Sequence, residues 1–224
     1  DTLVHVANGI YENCPNDEAH ELFKLPEFVN KMMENKWLGS KTGQGFYKKE
    51  GKDILTLDLD TLEYRANKKA SFATLELTKT IEKPIDRFKV LVTGKDKAGD
   101  FYRKNFASMF QYCSNRIPEI TDAFYKIDDA MKAGFGWENG PFEIWDAIGI
   151  EKGIELMKAE GYQPASWVTD MLASGNTSFY SIKDGATHFY SITNKKVEKI
   201  PGQDAFIILN NIRESKKIWN NSDS

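Results

Sequence analysis

Residues 127–149 read IDDAMKAGFGWENGPFEIWDAIG, and the placement of glycine and proline in this stretch decides how the chain around it folds. Gly134 and Gly136 allow positive φ in a tight turn, Pro141 after Gly140 suits the first turn of a helix, and Gly149 suits its end. Between Pro141 and Gly149, Phe142, Ile144, Trp145 and Ile148 supply an apolar face, while Asp146 points elsewhere. The stretch is therefore a short helix, a glycine turn and a second short helix. Glu138, Glu143 and Asp146 have two readings. They are paired carboxylates for acid and base chemistry, or solvated and capping groups on an exposed helix.

Helical signals continue on both sides. Upstream, DKAGDFYRKNFASMFQYCSNRIPEITDAFYK predicts a long helical stretch; downstream, IELMKAEGY and ASWVTDML predict two more helices. These two echo the beginning of the chain. LVHVANGIY, ending at Tyr11, aligns with IELMKAEGY, ending at Tyr162, and PEFVNKMM aligns with ASWVTDML, matching Phe28 to Trp167, Val29 to Val168 and Met32 to Met171. An aromatic pair follows each echo: Phe46 and Tyr47 after Gly43 and Gly45 in the first, Phe189 and Tyr190 after Lys183, Asp184 and Gly185 in the second. On this pairing Gly185-Ala186-Thr187-His188 stands where the first copy has Gly43-Gln44-Gly45, with His188 in place of the second glycine. The chain is expected to be mainly α, with two tandem helical repeats that each close with a glycine turn and a short β-hairpin.

The first closing turn, SKTGQGFYKK at residues 40–49, raises the question of phosphate binding. A phosphate loop follows a strand and opens a helix, whose N-terminal amides hold the anion. Here a helix precedes the glycines and a strand follows. The turn is read as a helix-to-hairpin connector, with Lys41 reaching a ligand as the alternative.

Composition narrows the function classes. The 224 residues are 41% hydrophobic with a formal charge of -3, and nothing marks a nucleic-acid or polybasic membrane surface. No apolar run reaches the ~20 residues that span a bilayer. Cys14 and Cys113 suit reduced thiols in a cytoplasmic protein, and His5, His20 and His188 lack the spacing of metal ligands. No strand is followed by Gly-x-Gly-x-x-Gly and a helix, the fingerprint of a dinucleotide site. The absent initiator methionine and the polar tail suggest a piece of a longer protein.

Residues 127–149 resemble the signature of the C-terminal domain of 3-hydroxyacyl-CoA dehydrogenases, and SKTGQGFY resembles the Lys-x-Gly-x-Gly-Phe-Tyr turn that closes that domain. The positions carrying the resemblance are Lys41, Gly43, Gly45, Phe46 and Tyr47, then Gly134, Gly136, Gly140, Pro141, Phe142, Asp146 and Gly149. It implies a first C-terminal-type domain truncated at its front over residues 1–64, a connector at 65–84, a second such domain at 85–195, and a tail at 196–224 toward a following domain. Family members with two such domains are multifunctional fatty-acid β-oxidation proteins. The resemblance implies NAD, an acyl-CoA substrate and the catalytic histidine–glutamate pair in an upstream Rossmann domain, with an enoyl-CoA hydratase module downstream. It places no catalytic, cofactor or metal residue in this chain; Asn115, at a family active-site position, is read as vestigial. It also leads to the expectation that the two copies pack face to face. A free-standing helical interaction module, or a dehydrogenase domain for another substrate such as a sugar acid, are the alternatives.

Overall fold

A computed structural model describes residues 2–203, 207–209, 211 and 212. It divides into two compact units, Asp1–Ala70 and Ser71–Ser224, taken here in turn. In the tail, Phe206 and Trp219 lie outside the described residues.

In the first unit α1 (Thr2–Asn13) and α2 (Glu27–Glu34) precede β1 (Tyr47–Glu50), β2 (Asp53–Leu57) and β3 (Tyr64–Ala66), which form one antiparallel sheet in that order. Pro26 stands just ahead of α2 in extended conformation, as a residue without a free amide should. The small core is built from Ala7, Val29, Met32 and Leu57. Trp37 packs on Tyr64 with ring centroids 5.6 Å apart, and the Tyr64 hydroxyl donates to the Gly45 carbonyl at 2.7 Å.

The second unit begins with α3 (Ala73–Thr78), α4 (Pro84–Thr93) and α5 (Lys97–Asn115). The stretch 65–84 is thus less of a free connector than its sequence suggests. Arg65 and Ala66 belong to β3, and the Thr74 amide and hydroxyl donate to Asp96 at 2.9 and 2.7 Å. Asp96 also caps α5 by accepting from the Gly99 amide at 3.0 Å. These donors hold its carboxyl down at about 2. The long helical stretch stops at Asn115, ahead of Pro118, whose ring cannot continue a helix.

After that break come α6 (Tyr125–Phe135), α7 (Pro141–Ile148), α8 (Ile150–Ala159) and α9 (Ser166–Ala173). Then β4 (Tyr180–Lys183), β5 (Ala186–Ser191) and β6 (Lys196–Lys199) form a second antiparallel sheet. Aromatic rings fill its core. Phe110 stacks on Trp145 at 4.7 Å, and Phe179 meets Trp145, Phe142 and Phe124 edge-on at 5.1 to 5.3 Å. Both buried indoles have partners, Trp145 donating to the Ile150 carbonyl and Trp167 to that of Ser114. Gly153 is required because a Cβ there would enter the Trp145 ring.

The two units repeat one plan, mainly helical and closed by a small sheet. Each of α2 and α9 ends with an amide bonded back to a buried methionine, Trp37 to Met32 and Asn176 to Met171. In the sheets, Tyr47 faces Thr56 as Tyr180 faces Phe189, and Leu57 faces Tyr64 as Tyr190 faces Val197. The third strand of each was not legible in the sequence.

This register corrects the pairing of aromatic residues. The Phe46 carbonyl accepts from the Leu57 amide, and the Phe179 carbonyl accepts from the Tyr190 amide. The counterparts of Phe46 and Tyr47 are therefore Phe179 and Tyr180, not Phe189 and Tyr190. Asp184 and Gly185, with φ of 52° and 75°, form the hairpin turn that Gly51 helps make in the first unit. Accordingly Gly185–His188 is not the counterpart of Gly43-Gln44-Gly45, and His188 replaces no glycine of that loop. Where residues 38–45 run in the first unit, only Thr177 and Ser178 stand in the second.

The glycines of that loop serve geometry, in differing ways. Gly39 and Gly43 have φ of 99° and 78°, whereas Gly45 is needed for space: a Cβ there would lie 2.8 Å from the Gly39 backbone. Similarly Gly136 takes φ 67° and Gly149 φ 102°, while Gly134 is an ordinary residue of α6 rather than part of the turn. Gly45→Val is expected to destabilise the first unit by roughly 1–3 kcal/mol through that clash. Lys41→Ala, on an exposed turn, is expected to change stability by less than about 0.5 kcal/mol. Urea unfolding followed by tryptophan fluorescence checks both.

Candidate functional site

The signature stretch centres on two carboxylates, Asp128 buried and Asp146 partly buried at the edge of a cleft. Asp128, on α6, has no exposed surface. It accepts from the Phe142 amide at 2.9 Å, the Glu143 amide at 3.1 Å and the Tyr180 hydroxyl at 2.8 Å. The first two are amides at the start of α7, where unsatisfied donors and the helix dipole favour a negative charge. Gly140 lies so close to Asp128 that a Cβ would enter its side chain. Asp146, one turn from the other end of α7, accepts from the Phe179 and Tyr180 amides at 2.7 and 2.8 Å.

Glu143 completes the network. One of its oxygens accepts from the Gly140 amide at 2.8 Å and the other from Lys132 at 2.7 Å; Lys132 also lies 3.5 Å from Asp129. The cleft beside these groups has a volume of about 590 Å³, and Tyr125, Lys132, Asn139, Glu143, Asp146 and Tyr180 are among its lining residues. The buried tail residue Asn211 reaches its edge and donates to the Thr187 hydroxyl at 2.8 Å.

Burial dominates the acidities. It pushes Asp128 up to about 6 and Asp146 up to about 7, against the amide bonds that favour the ionised forms. Burial, then the neighbouring Asp128 charge, raises the Tyr180 phenol, so it remains a hydrogen-bond donor. Cys113 is pushed up to about 12 by burial and is a poor nucleophile.

The structure brings Gly140, Pro141, Phe142 and Asp146 together around the start and middle of α7. It leaves Asn115 elsewhere, as the last residue of α5 and not among the residues lining the cleft. Arg116, next to it, lies over the Tyr112 ring and pairs with Glu119 at 2.8 Å. Lys41, Gly43, Gly45, Phe46 and Tyr47 form the closing loop and first strand of the other unit. The helix carrying Glu143 and Asp146 is buried rather than exposed, with Pro141, Phe142, Ile144, Trp145 and Ile148 all inside. Both of these acids act as clamps on backbone amides. Asp128 and Tyr180 escaped the sequence reading. The signal for Tyr180 was the pair Phe179-Tyr180, hidden by the mistaken match to Phe189-Tyr190. Among the described residues no group of His, Cys, Asp or Glu is arranged to hold a metal ion, and no helix is long and apolar enough to cross a membrane.

Over 190 residues the chain is 43% identical to the "Probable 3-hydroxyacyl-CoA dehydrogenase" of Bacillus subtilis (strain 168), covering 85% of this chain and 24% of that protein. The chain belongs to the 3-hydroxyacyl-CoA dehydrogenase family. More distant relatives of this dehydrogenase-family chain are named "Putative fatty acid oxidation complex trifunctional enzyme". The one from Rickettsia felis is 28% identical over 64% of the chain and 19% of that protein; the one from Rickettsia prowazekii is 24% identical over 70% and 21%. The chain spans about a quarter or less of the length of these relatives. No protein-family model and no solved structure matches it.

The two aspartates make the second unit of this dehydrogenase-family chain sensitive to pH. An unfolded aspartate titrates near 3.9, so as pH falls from 8 to 5 the folded state takes up protons that the unfolded state does not. Folding stability therefore rises as pH falls through that window and levels off below about 4. Asp96, held at about 2, is ionised in both states above pH 5 and adds no slope there. Chemical denaturation of the second unit is expected to show a gain of roughly 1–3 kcal/mol from pH 8 to pH 5. Asp146→Asn is expected to flatten much of that slope, because it removes the proton uptake while keeping an oxygen for the amides.

Proposed function

We propose that this chain is the C-terminal portion of an NAD-dependent enzyme of fatty-acid β-oxidation that oxidises a 3-hydroxyacyl-CoA to the 3-oxoacyl-CoA. In that reaction the hydroxyl proton passes to a base and the hydride from the same carbon to NAD. The chain contributes a wall of the acyl-CoA cleft and a packing surface; the base and the nucleotide site belong to a Rossmann domain of the same protein, and an enoyl-CoA hydratase module follows. The proposed location is the cytoplasm. The observation that carries the reading is the 43% identity to the Bacillus subtilis protein over most of this chain.

Two structural features support the division of labour. The described residues do not fit NAD: both sheets are antiparallel, so neither has the parallel crossover whose glycine-rich turn receives a pyrophosphate. The signature carboxylates are also already engaged. Asp128, Glu143 and Asp146 each accept bonds from backbone amides, which suits a brace better than a base that must reach substrate.

The 224-residue chain is expected to form no NADH from a 3-hydroxyacyl-CoA and to show no saturable NAD binding by calorimetry, whereas the longer protein turns the substrate over. NADH production by the chain alone, or a longer protein inert toward 3-hydroxyacyl-CoA substrates, would overturn the proposal.

A further inference from the structure

The cleft beside α7 is open, and the chain itself runs up to its rim. Thr187, in the cleft wall, is the anchor. Its amide donates to the Gln203 side chain at 3.0 Å, its carbonyl accepts from the Ile200 amide at 3.0 Å, and its hydroxyl accepts from Asn211 at 2.8 Å. Ile200 and Asn211 line the cleft as well, and a Cβ at Gly185, in the β4–β5 turn, would meet Ile212 at 3.7 Å. Residues 213–224, RESKKIWNNSDS, continue from that point and lie outside the described residues.

The lining of the cleft defines what fits it. Its charged groups are mostly acidic, Asp129, Glu143 and Asp146 against Lys132. Lys132 is engaged by Glu143 at 2.7 Å and lies 3.5 Å from Asp129, whose side chain is still 64% exposed. Among the described residues neither the Tyr125 hydroxyl nor the Asn139 carboxamide has a hydrogen-bond partner. Ile85, Ile182 and Ile200 supply the apolar part of the wall. A fitting occupant brings a cation to Asp129, polar groups to Tyr125 and Asn139, and an apolar side chain to the isoleucines. The phosphates of a CoA thioester would meet like charge here.

We propose that Lys216-Lys217-Ile218-Trp219 folds back into this cleft. The two ammonium groups face Asp129, the peptide groups meet Tyr125 and Asn139, and Ile218 and Trp219 cover Ile85 and Ile182. The reach is sufficient, since extended chain covers about 3.5 Å per residue and the four steps from Ile212 to Lys216 span roughly 14 Å. With Asn211 already bonded at the rim, the segment is presented at a high effective concentration, which favours it over the tail of a second copy. The inference rests on the cleft lining and the tail sequence and not on the catalytic reading, so either stands or falls alone.

The test uses the full 224-residue chain in solution. Nuclear Overhauser contacts are expected between the Trp219 indole and the methyl groups of Ile85 and Ile182, unchanged on dilution. Asp129→Lys, on the exposed side of α6, is expected to abolish them, and adding Lys216→Glu and Lys217→Glu to that variant is expected to restore them. Absence of the contacts in the unaltered chain overturns the proposal. So does their persistence in Asp129→Lys, or a loss that the charge reversal does not repair. Contacts seen only between differently labelled copies make another chain's tail the occupant and overturn it too. If added coenzyme A shifts the Lys132 and Asn139 amides of a chain that lacks the Trp219 contacts, the cleft is a ligand site and the proposal fails.

Discussion

A carboxylate drawn out of water is unfavourable unless donors replace the water it has lost, and the second unit holds one on each flank of a single helix, Asp128 fully buried and Asp146 partly so. Asp128 and Asp146 are stable inside because α7 and β4 present amides that would otherwise be orphaned. The dependence is mutual: the acids need the amides, and the amides need the acids. An asparagine offers one acceptor oxygen and two donors, and those donors find no partner beside a row of N–H groups. An ionised carboxylate is an acceptor throughout. With α7 held at both ends, Phe142 and Trp145 are fixed in the core, where the ring of Phe110 stacks on Trp145 and those of Phe124 and Phe179 meet Phe142 tilted and edge-on.

Much of this was legible in the residues and some was not. Gly136, Gly149 and Pro141 announced α7 and its turn correctly, since φ freedom and a missing amide are properties of single residues, whereas Gly134 lies inside α6. The short hairpin after the first closing turn followed for the same reason, with Gly51 at φ 60° in its bend. The third strand of each sheet did not, because Tyr64–Ala66 and Lys196–Lys199 are short edge strands whose formation depends on a neighbour already in place. The aromatic pairs were mismatched because two Phe-Tyr dipeptides lie ten residues apart on paired strands, and only hydrogen-bond register distinguishes them. Asp128 looked like one of two adjacent acids on a helix surface. Its burial arises from Gly140, twelve positions away, and no local pattern encodes that meeting.

The same arrangement explains why acids so prominent in a family signature are poor candidates for proton transfer. A general base must have a lone pair free to approach substrate, and it gains from a pKa near the working pH. Asp146 has such a pKa, about 7, yet both of its oxygens are bonded to backbone. A shifted acidity on a group whose oxygens are already taken reflects desolvation rather than readiness to transfer a proton.

The loop at residues 38–45 gives the chain an internal control. Both units end a helix in the same way, start a strand with Phe-Tyr and pair it in the same register, yet one joins the two with a glycine-lined loop and the other with Thr177 and Ser178. Forming the hairpin therefore does not require the loop. Ordering each backbone residue costs about 1–2 kcal/mol of conformational entropy, so the longer connection is a sizeable burden on the unit with the smaller core. Tyr64, Thr42 and the Gly39–Gln44 bridge are committed to holding it in shape. Folding economy alone favours the short connection, and the rigid outward turn that carries Lys41 is the part of this architecture that economy does not account for.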